Sequence, residues 1–300
     1  MTERFQGYLY LALAMVMVGS TVIASKLIAA GLPPFIATAL RFAVAFPLFL
    51  ALMRLTRTAW PRLERRAWLI LILQAGAGSV GYTTLLIAGL RYSSATDAGV
   101  VIGTLPVVSA GIAILLLGER PSRSTLIAIG LAAAGVLTIV LRPDDGAEHS
   151  TLGITLVFAA VFCEGLFILI NKRIRTPIAP LALSTIMAGM GVGVAFVPAL
   201  FEASSMQDVT VQSLAAVLYY ALVPTVAGFI LWYAGSAKVS GTEASVFTAL
   251  APVSAVLFAF VLLGEPVSVN QLAGIGCVLV AVLSLAVPHL RLKAAGQTRS

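Results

Sequence analysis

The sequence predicts an all-α membrane protein with ten transmembrane helices, arranged as two inverted five-helix repeats. Three observations predict this fold: an apolar composition, basic residues concentrated on one side of the apolar segments, and an internal repetition. Of the 300 residues, 60% are hydrophobic and 10% are charged, and the mean hydropathy is +1.03. Soluble domains contain roughly 25% charged residues, so no soluble domain is expected.

Ten apolar segments follow one another along the chain. Each is close to the ~20 residues that an α-helix needs to cross a bilayer, and short breaks with Gly, Pro or charge separate them. The first segment exceeds the apolar region of a signal peptide, about 7–15 residues, so we expect it to be retained. The predicted spans are 8–30, 35–55, 67–89, 95–117, 124–141, 151–171, 180–201, 213–234, 241–263 and 270–288.

The basic residues lie mainly on one side of these spans. A topology with the N terminus inside the cell places most of the 19 Lys and Arg residues in the cytoplasm, including the arginines of 54–66. Arg91 and Arg142 fall outside, while Lys26 and Arg41 lie within spans. This distribution follows the positive-inside rule. It predicts an inner-membrane protein with both termini cytoplasmic, and it explains the net charge of +7 without a nucleic-acid partner.

The chain repeats itself at a constant offset of 146 residues. Residues 96–119, TDAGVVIGTLPVVSAGIAILLLGE, recur as TEASVFTALAPVSAVLFAFVLLGE at 242–265, and Lys26 falls on Lys172. Apolar residues would align by chance in such a composition, but charged residues and prolines at one offset would not. We therefore interpret the repetition as a duplication.

The duplication predicts a first repeat over 7–146 and a second over 153–292. Because each repeat has an odd number of spans, the second enters the membrane from the opposite side. Inverted repeats are typical of carriers with a binding site near the bilayer midplane and alternating access. A bundle that serves only assembly or anchoring is the alternative interpretation.

Helix-breaking residues lie at matching depths in four predicted helices. Pro106 and Pro252 each remove a backbone donor and free the carbonyl four residues earlier, and Gly78 and Pro224 lie at the midpoints of the third and eighth spans. Irregular backbone at membrane depth is tolerated where it is buried in protein or lines a water-filled cavity. We therefore expect these four helices to surround a substrate, although kinks stabilised by local packing are an alternative.

Rings and hydroxyl groups lie beside these breaks and suit a largely apolar solute with few polar groups, although packing and lipid contact would also explain them. Trp232 and Tyr233, close to a membrane face, fit an interfacial aromatic belt. The candidate substrate-binding residues are Gly78, Tyr82, Thr83, Pro106, Glu164, Tyr220, Pro224, Phe229, Phe247, Thr248 and Pro252.

Ionisable residues inside spans are energetically expensive and indicate function. Glu164 lies in the middle of the sixth span, too deep to reach an interface easily. A proton carrier, a group that recognises a substrate ammonium and a protonated structural donor are the three interpretations of its role. Lys26 and Arg41 are close enough to span ends for their side chains to snorkel to the outer interface.

Acidic residues lie at both ends of the two repeated stretches. Asp97 and Glu243 follow threonines in the first turns of their helices, where an acid complements the helix dipole and a threonine such as Thr242 caps the end. Glu119 and Glu265 come at the opposite ends, each before a new helix. We expect these two to accept hydrogen bonds from the free N–H groups of the helix that follows.

Motifs of catalysis and cofactor binding are missing from the sequence. The glycine-rich run 76–81 lies inside an apolar span and lacks the Lys-Ser/Thr ending of a phosphate loop. Cys163 and Cys277 have no partner at metal-ligand spacing. We therefore expect no metal, no cofactor and no enzymatic activity, and a monomer whose partners are membrane lipid and a small-molecule substrate.

Two copies of a proline followed by an apolar run that ends in Leu-Leu-Gly-Glu, at 106–119 and 252–265, resemble the EamA repeat of the drug/metabolite transporter superfamily. Pro34 followed by Arg41 and Phe42 in the second span is similar to that repeat as well. The resemblance covers nearly the whole chain. It implies a ten-helix inner-membrane carrier with a central cavity, most similar to the aromatic amino-acid exporter branch.

The resemblance implies that the chain exports aromatic or other bulky neutral amino acids. Export of organic cations, which would need Glu164, and exchange of metabolite phosphates, which would need converging cations, are the alternatives, and a passive channel is a third. Met187 stands opposite Arg41 in the second repeat, so any role of that arginine is not shared by both halves.

Overall fold

The fold is described from a computed structural model. It covers residues 3–92, 101–140, 150–174, 176–202 and 209–263, together with 269, 272–282 and 284. Every regular element in these residues is helical, which confirms the predicted all-α class for this part of the chain. The predictions made for Thr96, Asp97 and Glu265 lie outside the described residues.

Thirteen α-helices, numbered in chain order, and two π-helical segments, π1 and π2, form the described fold. A short 3-10 helix, Ile170–Arg173, follows the seventh helix. The elements are α1 Glu3–Ala29, α2 Pro34–Leu55, α3 Arg65–Gln74, π1 Ala75–Tyr82, α4 Thr83–Gly89, α5 Leu105–Leu117, α6 Arg123–Val140, α7 Thr151–Leu169, α8 Pro180–Glu202, α9 Val211–Tyr220, π2 Ala221–Ala227, α10 Gly228–Ser236, α11 Gly241–Phe247, α12 Leu250–Leu263 and α13 Leu272–Val282.

Seven helices of the described chain are long and apolar enough to cross a membrane, when α3 to α4, α9 to α10, and α11 with the start of α12 are each counted as one continuous helix. Three shorter apolar helices, Leu105–Leu117, Arg123–Gly135 and Leu272–Val282, occupy the positions of the remaining predicted spans. The chain is therefore a multi-pass helical membrane protein, and the number of ten spans stays a prediction.

Both halves of the chain interrupt their helices at matching positions. The segments π1 and π2 begin 146 residues apart and contain Gly78 and Pro224. A turn at 103–104 precedes Leu105 and a turn at 248–249 precedes Leu250, so Pro106 and Pro252 lie in the first turns of new helices. Proline is tolerated there because the first N–H groups of a helix have no intrahelical partner.

Glycines at equivalent positions let equivalent helices approach closely. A Cβ at Gly19 of α1 would collide with the carbonyl oxygen of Ala251 on α12. A Cβ at Gly165 of α7, 146 residues later, would lie 2.6 Å from the side chain of Ile112 on α5. The two halves therefore share a packing scheme: each first helix lies against a broken helix of the other half.

Trp232 and Tyr233 face the interior of the bundle rather than an interface. They are 3% and 2% exposed, and the indole N–H of Trp232 donates to the carbonyl of Ile168 at 3.4 Å. The prediction of an interfacial belt is wrong for these two residues. Aromatic residues have apolar sequence neighbours both when they are buried in a bundle and when they lie at a membrane interface. Hydropathy therefore does not distinguish the two positions.

Candidate substrate site

A small cavity of about 30 Å³ lies at the level of π1 and π2. Its lining comes from eight elements, α1, α2, π1 and α4 of the first half and α7, α9, π2 and α10 of the second. Neither repeat therefore forms the cavity alone. Its lining residues are Val18, Thr21, Arg41, Gly78, Tyr82, Thr83, Glu164, Phe167, Tyr220, Pro224, Thr225 and Phe229.

Seven of the eleven candidate residues line this cavity: Gly78, Tyr82, Thr83, Glu164, Tyr220, Pro224 and Phe229. The other four, Pro106, Phe247, Thr248 and Pro252, lie outside the described lining. Phe247 stacks on Tyr8 with ring centroids 5.1 Å apart, and the Thr248 hydroxyl donates to the carbonyl of Ser245 at 2.6 Å. A role in substrate binding stays a prediction for all eleven.

Arg41 is buried beside the cavity and does not reach an interface. It is 4% exposed, and its Nη2 donates to the carbonyl oxygen of Ser79 in π1 at 2.9 Å. Its Cζ lies 4.1 Å and 4.5 Å from the ring centroids of Phe42 and Tyr220, within the range of cation–π attraction. The snorkelling interpretation is wrong for Arg41, whereas the side chain of Lys26 is exposed.

Glu164 on α7 contributes a carboxyl group to the same cavity. Its side chain is 6% exposed. It accepts no hydrogen bond and forms no ion pair with any residue that the structure describes. Its carboxyl group interacts electrostatically with the Arg41 guanidinium, which lines the same cavity.

Aromatic rings form the wall between these charges and the basic end of the bundle. The ring of Phe229 lies 5.1 Å from Phe167, 6.3 Å from Phe42 and 6.1 Å from Tyr233, centroid to centroid. Gly78 makes room for this wall, because a Cβ there would collide with Phe167. Phe167 was missed as a candidate, although its position one turn after Glu164 was an available signal.

The carbonyl that Pro224 frees is satisfied within π2. The hydroxyl of Thr225 donates to the carbonyl oxygen of Tyr220 at 2.9 Å. The sequence predicted that the helix broken at Pro224 surrounds a substrate. The local side chain supplies the missing donor, so π2 is stabilised without a ligand.

Side chains close the end of the bundle where α1 begins, which we call the basic face because the arginine-containing loop after α2 lies there. Both carboxylate oxygens of Glu119 accept hydrogen bonds from the N terminus of α11, from Gly241 N at 2.7 Å and Thr242 N at 2.8 Å. Glu119 therefore caps a helix of the other half, whereas Ser122 caps the following helix by accepting from Thr125 N at 3.1 Å.

The cap of α11 is Ser240 rather than Thr242. The Ser240 hydroxyl accepts from Glu243 N at 3.1 Å, and the Glu243 carboxylate accepts from Ser240 N at 2.9 Å, which together form a capping box. The Tyr8 hydroxyl donates to the same carboxylate at 2.8 Å. This contact ties the start of α1 to α11.

Lys172 forms hydrogen bonds with the end of α10 and the residues that follow it at the basic face. Its Nζ donates to the carbonyl oxygens of Ser236 and Val239, each at 2.7 Å. Burial lowers the pKa of the Lys172 ammonium, and the negative charges of Glu119 and Glu243 act in the opposite direction. A wider cavity of about 300 Å³ lies at this same face, lined by Glu64, Arg66, Ala67, Ile70, Arg173, Ile174 and Thr176.

The sequence pattern of one family matches both halves of the chain. The EamA-like transporter family is matched by residues 5–141 and again by residues 151–287. The chain belongs to the EamA-like transporter family. The resemblance seen in the two Leu-Leu-Gly-Glu stretches is thereby confirmed, and the family is one of transporters.

Relatives of this EamA-like chain include named transporters. It is 37% identical over 283 residues to the "Uncharacterized transporter YetK" of Bacillus subtilis, covering 92% of this chain and 86% of the relative. It is 26% identical to a "Probable amino-acid metabolite efflux pump" of Salmonella typhimurium, with 91% of each chain covered. A "Probable terminal-alkyne amino-acid exporter" of Streptantibioticus cattleyicolor is 28% identical over 65% of each chain.

The fold of this EamA-like chain also matches a solved crystal structure of a protein. The TM-score is 0.77 at 19% identity, and the match covers 96% of this chain and 99% of the other. At that identity the likeness concerns the fold alone. It supports the arrangement of helices around the cavity.

Proposed function

We propose that this EamA-like transporter exports amino acids, aromatic or other bulky neutral ones, by alternating access through the central cavity. The observation that carries the proposal is the composition of the cavity wall: one buried arginine, one buried carboxyl group and a set of aromatic rings. Charged groups recognise the polar end of an amino acid and rings recognise its side chain. The names of two relatives point to the same class of substrate.

The proposed architecture is ten transmembrane helices in two inverted repeats, 7–146 and 153–292. It rests on the seven long and three shorter apolar helices and on the equivalent positions of π1 and π2. We place the carrier in the inner membrane as a monomer, in contact with lipid, with the basic face and both termini in the cytoplasm, as the positive-inside rule predicts.

Alternating access would have to widen the cavity. A volume of about 30 Å³ is far below the ~300–1,000 Å³ of pockets that enclose small ligands. Opening would separate contacts at one face at a time, and the bonds of Glu119 and Lys172 are the candidates at the basic face. The glycines and π-helical segments provide backbone that can rearrange without leaving buried carbonyls unpaired.

Export of organic cations or drugs is the alternative, and the carboxyl group of Glu164 in a cavity with aromatic rings favours it. Arg41 in the same lining opposes it, since a second positive charge would be repelled. Exchange of metabolite phosphates has weaker support. Arg41 is the only cation in the described lining, and Lys26 is exposed elsewhere.

Efflux of labelled amino acids from proteoliposomes tests the proposal. We expect saturable efflux of phenylalanine, tryptophan or leucine by the full chain. The variants Tyr82→Ala and Glu164→Gln should lower its rate at least about tenfold, because both side chains face the cavity. Tyr92→Ala is the matched control, since Tyr92 is 56% exposed. Efflux of organic cations without efflux of any amino acid would overturn the proposal.

A further inference from the structure

Two side chains of opposite charge face the cavity from different halves of the chain. Arg41 lies on α2 in the first half and Glu164 on α7 in the second. Both are more than nine-tenths buried and both line the same cavity. No ion pair of 4 Å or less joins them in the described structure, so neither charge neutralises the other by direct contact.

The two charges are compensated unequally. Arg41 has the Ser79 carbonyl and the rings of Phe42 and Tyr220, but its Nε is buried without a hydrogen-bond acceptor. Glu164 accepts no hydrogen bond from the described residues, and it interacts with Arg41 through electrostatics without direct contact. Buried charged groups are normally paired, because leaving one unpaired is strongly unfavourable. The cavity therefore offers a donor without an acceptor, Arg41 Nε, on one wall and the carboxyl group of Glu164 on the other.

We propose that Arg41 and Glu164 together recognise the zwitterionic group of a free α-amino acid. The carboxylate of the substrate binds the Arg41 guanidinium, and its ammonium binds the Glu164 carboxylate. The side chain of the substrate then lies along the rings of Phe167 and Phe229, which line the same cavity. This inference rests on the proposed function and specifies which part of the substrate the charges recognise.

The pair distinguishes zwitterions from singly charged analogues. An amine without a carboxylate would leave Arg41 without its anion, and an acid without an ammonium would leave Glu164 unpaired. Sites that bind a polar group reject analogues that lack it, because the buried partner is left unsatisfied. Met187 stands where the second half would place an equivalent of Arg41, so the substrate is expected to bind in one orientation.

Three ligands with the same ring test this inference on the unmodified full chain: phenylalanine, phenethylamine and 3-phenylpropionate. Binding is measured in detergent by thermal stabilisation and by competition against labelled phenylalanine. We expect phenylalanine to bind at least about tenfold more tightly than either analogue. Equal affinity for phenylalanine and phenethylamine, or for phenylalanine and 3-phenylpropionate, would overturn the inference.

Two variants, each of which removes one charge, then test which group of the ligand that charge binds. Arg41→Gln should weaken phenylalanine binding about tenfold or more and should not weaken phenethylamine binding, whereas Glu164→Gln should weaken phenylalanine binding and should not weaken 3-phenylpropionate binding. Matched controls are Arg91→Gln and Glu202→Gln, whose side chains bond to backbone at the face opposite the basic face. Equal losses for all three ligands would show that the pair is structural and would contradict the inference.

The inference and the proposed function fail in distinguishable ways. Binding of serine, but of no aromatic or other bulky neutral amino acid, would contradict the proposed substrate preference and leave the recognition of zwitterions supported. Preferential binding of phenethylamine would overturn both, since it would identify the cavity as a site for organic cations. Because the three-ligand comparison uses the unmodified chain, these outcomes do not depend on the folding of any variant.

Discussion

Gly78 is the cavity residue that tolerates added volume least. A Cβ there would collide with the Phe167 side chain. Because overpacking a close-packed site costs about 1–3 kcal/mol, we expect Gly78→Ala to lower the melting temperature in detergent and to slow efflux. Gly76→Ala, in the same π-helical segment, is the control, since a Cβ there meets nothing within 4 Å. Equal effects of the two substitutions would contradict this account.

At the scale of single residues, the sequence predicted much of the cavity because charge and proline are conspicuous in an apolar helix. Glu164 and Pro224 were found in that way. Phe167 was missed because a phenylalanine in an apolar span resembles a packing residue, unless its position one turn after Glu164 is taken into account. Phe247 was selected only for its position beside a predicted break, and its ring stacks on Tyr8 instead. Which face of a helix a ring occupies depends on tertiary packing.

At the scale of elements, the depth of the helix breaks was predictable and their form was not. Gly78 and Pro224 indicated weak points, and π-helical segments lie at both. The partners of those segments come from distant elements: Arg41 of α2 donates to Ser79 in π1. Glu119 was likewise predicted to cap a helix, but it caps α11 of the other half. The position of a residue in the sequence indicates whether it donates or accepts a hydrogen bond. It does not indicate which distant residue is the partner.

The contact between Lys172 and the end of α10 can be tested for its contribution to stability at the basic face. Lys172→Met removes two hydrogen bonds to buried backbone carbonyls. A loss of about 2 kcal/mol corresponds to a fall in melting temperature of roughly 4–8 °C. We expect this fall in detergent-solubilised protein.

Lys26→Met provides the matched control for that experiment. Lys26 is the repeat equivalent of Lys172, but it is exposed and makes no hydrogen bond with the described residues. Its replacement should therefore leave the melting temperature unchanged. A similar fall for both variants would mean that the charge, and not the contact with α10, stabilises the fold.

At the scale of the whole molecule, a duplicated scaffold carries an asymmetric site. Arg41 and Met187 are repeat equivalents, and both meet Ser79 of π1: Arg41 through the Ser79 carbonyl, Met187 by accepting from its hydroxyl at 3.4 Å. The two repeat equivalents therefore contact the same residue through different atoms. The cavity has Arg41 on one wall and Glu164 on another, although the π-helical segments beside it lie at equivalent positions of the two halves.

The orientation of the molecule can be tested with cysteines on opposite faces. After Cys163 and Cys277 are replaced by Ala, a cysteine is introduced either at Ala59, in the exposed loop after α2, or at Gln212, exposed at the start of α9. If the basic face is cytoplasmic, as the positive-inside rule predicts, a membrane-impermeant maleimide should label Gln212→Cys in intact cells. Ala59→Cys should react only after permeabilisation. The reverse pattern would place the basic face outside, and the direction of transport would then have to be assigned anew.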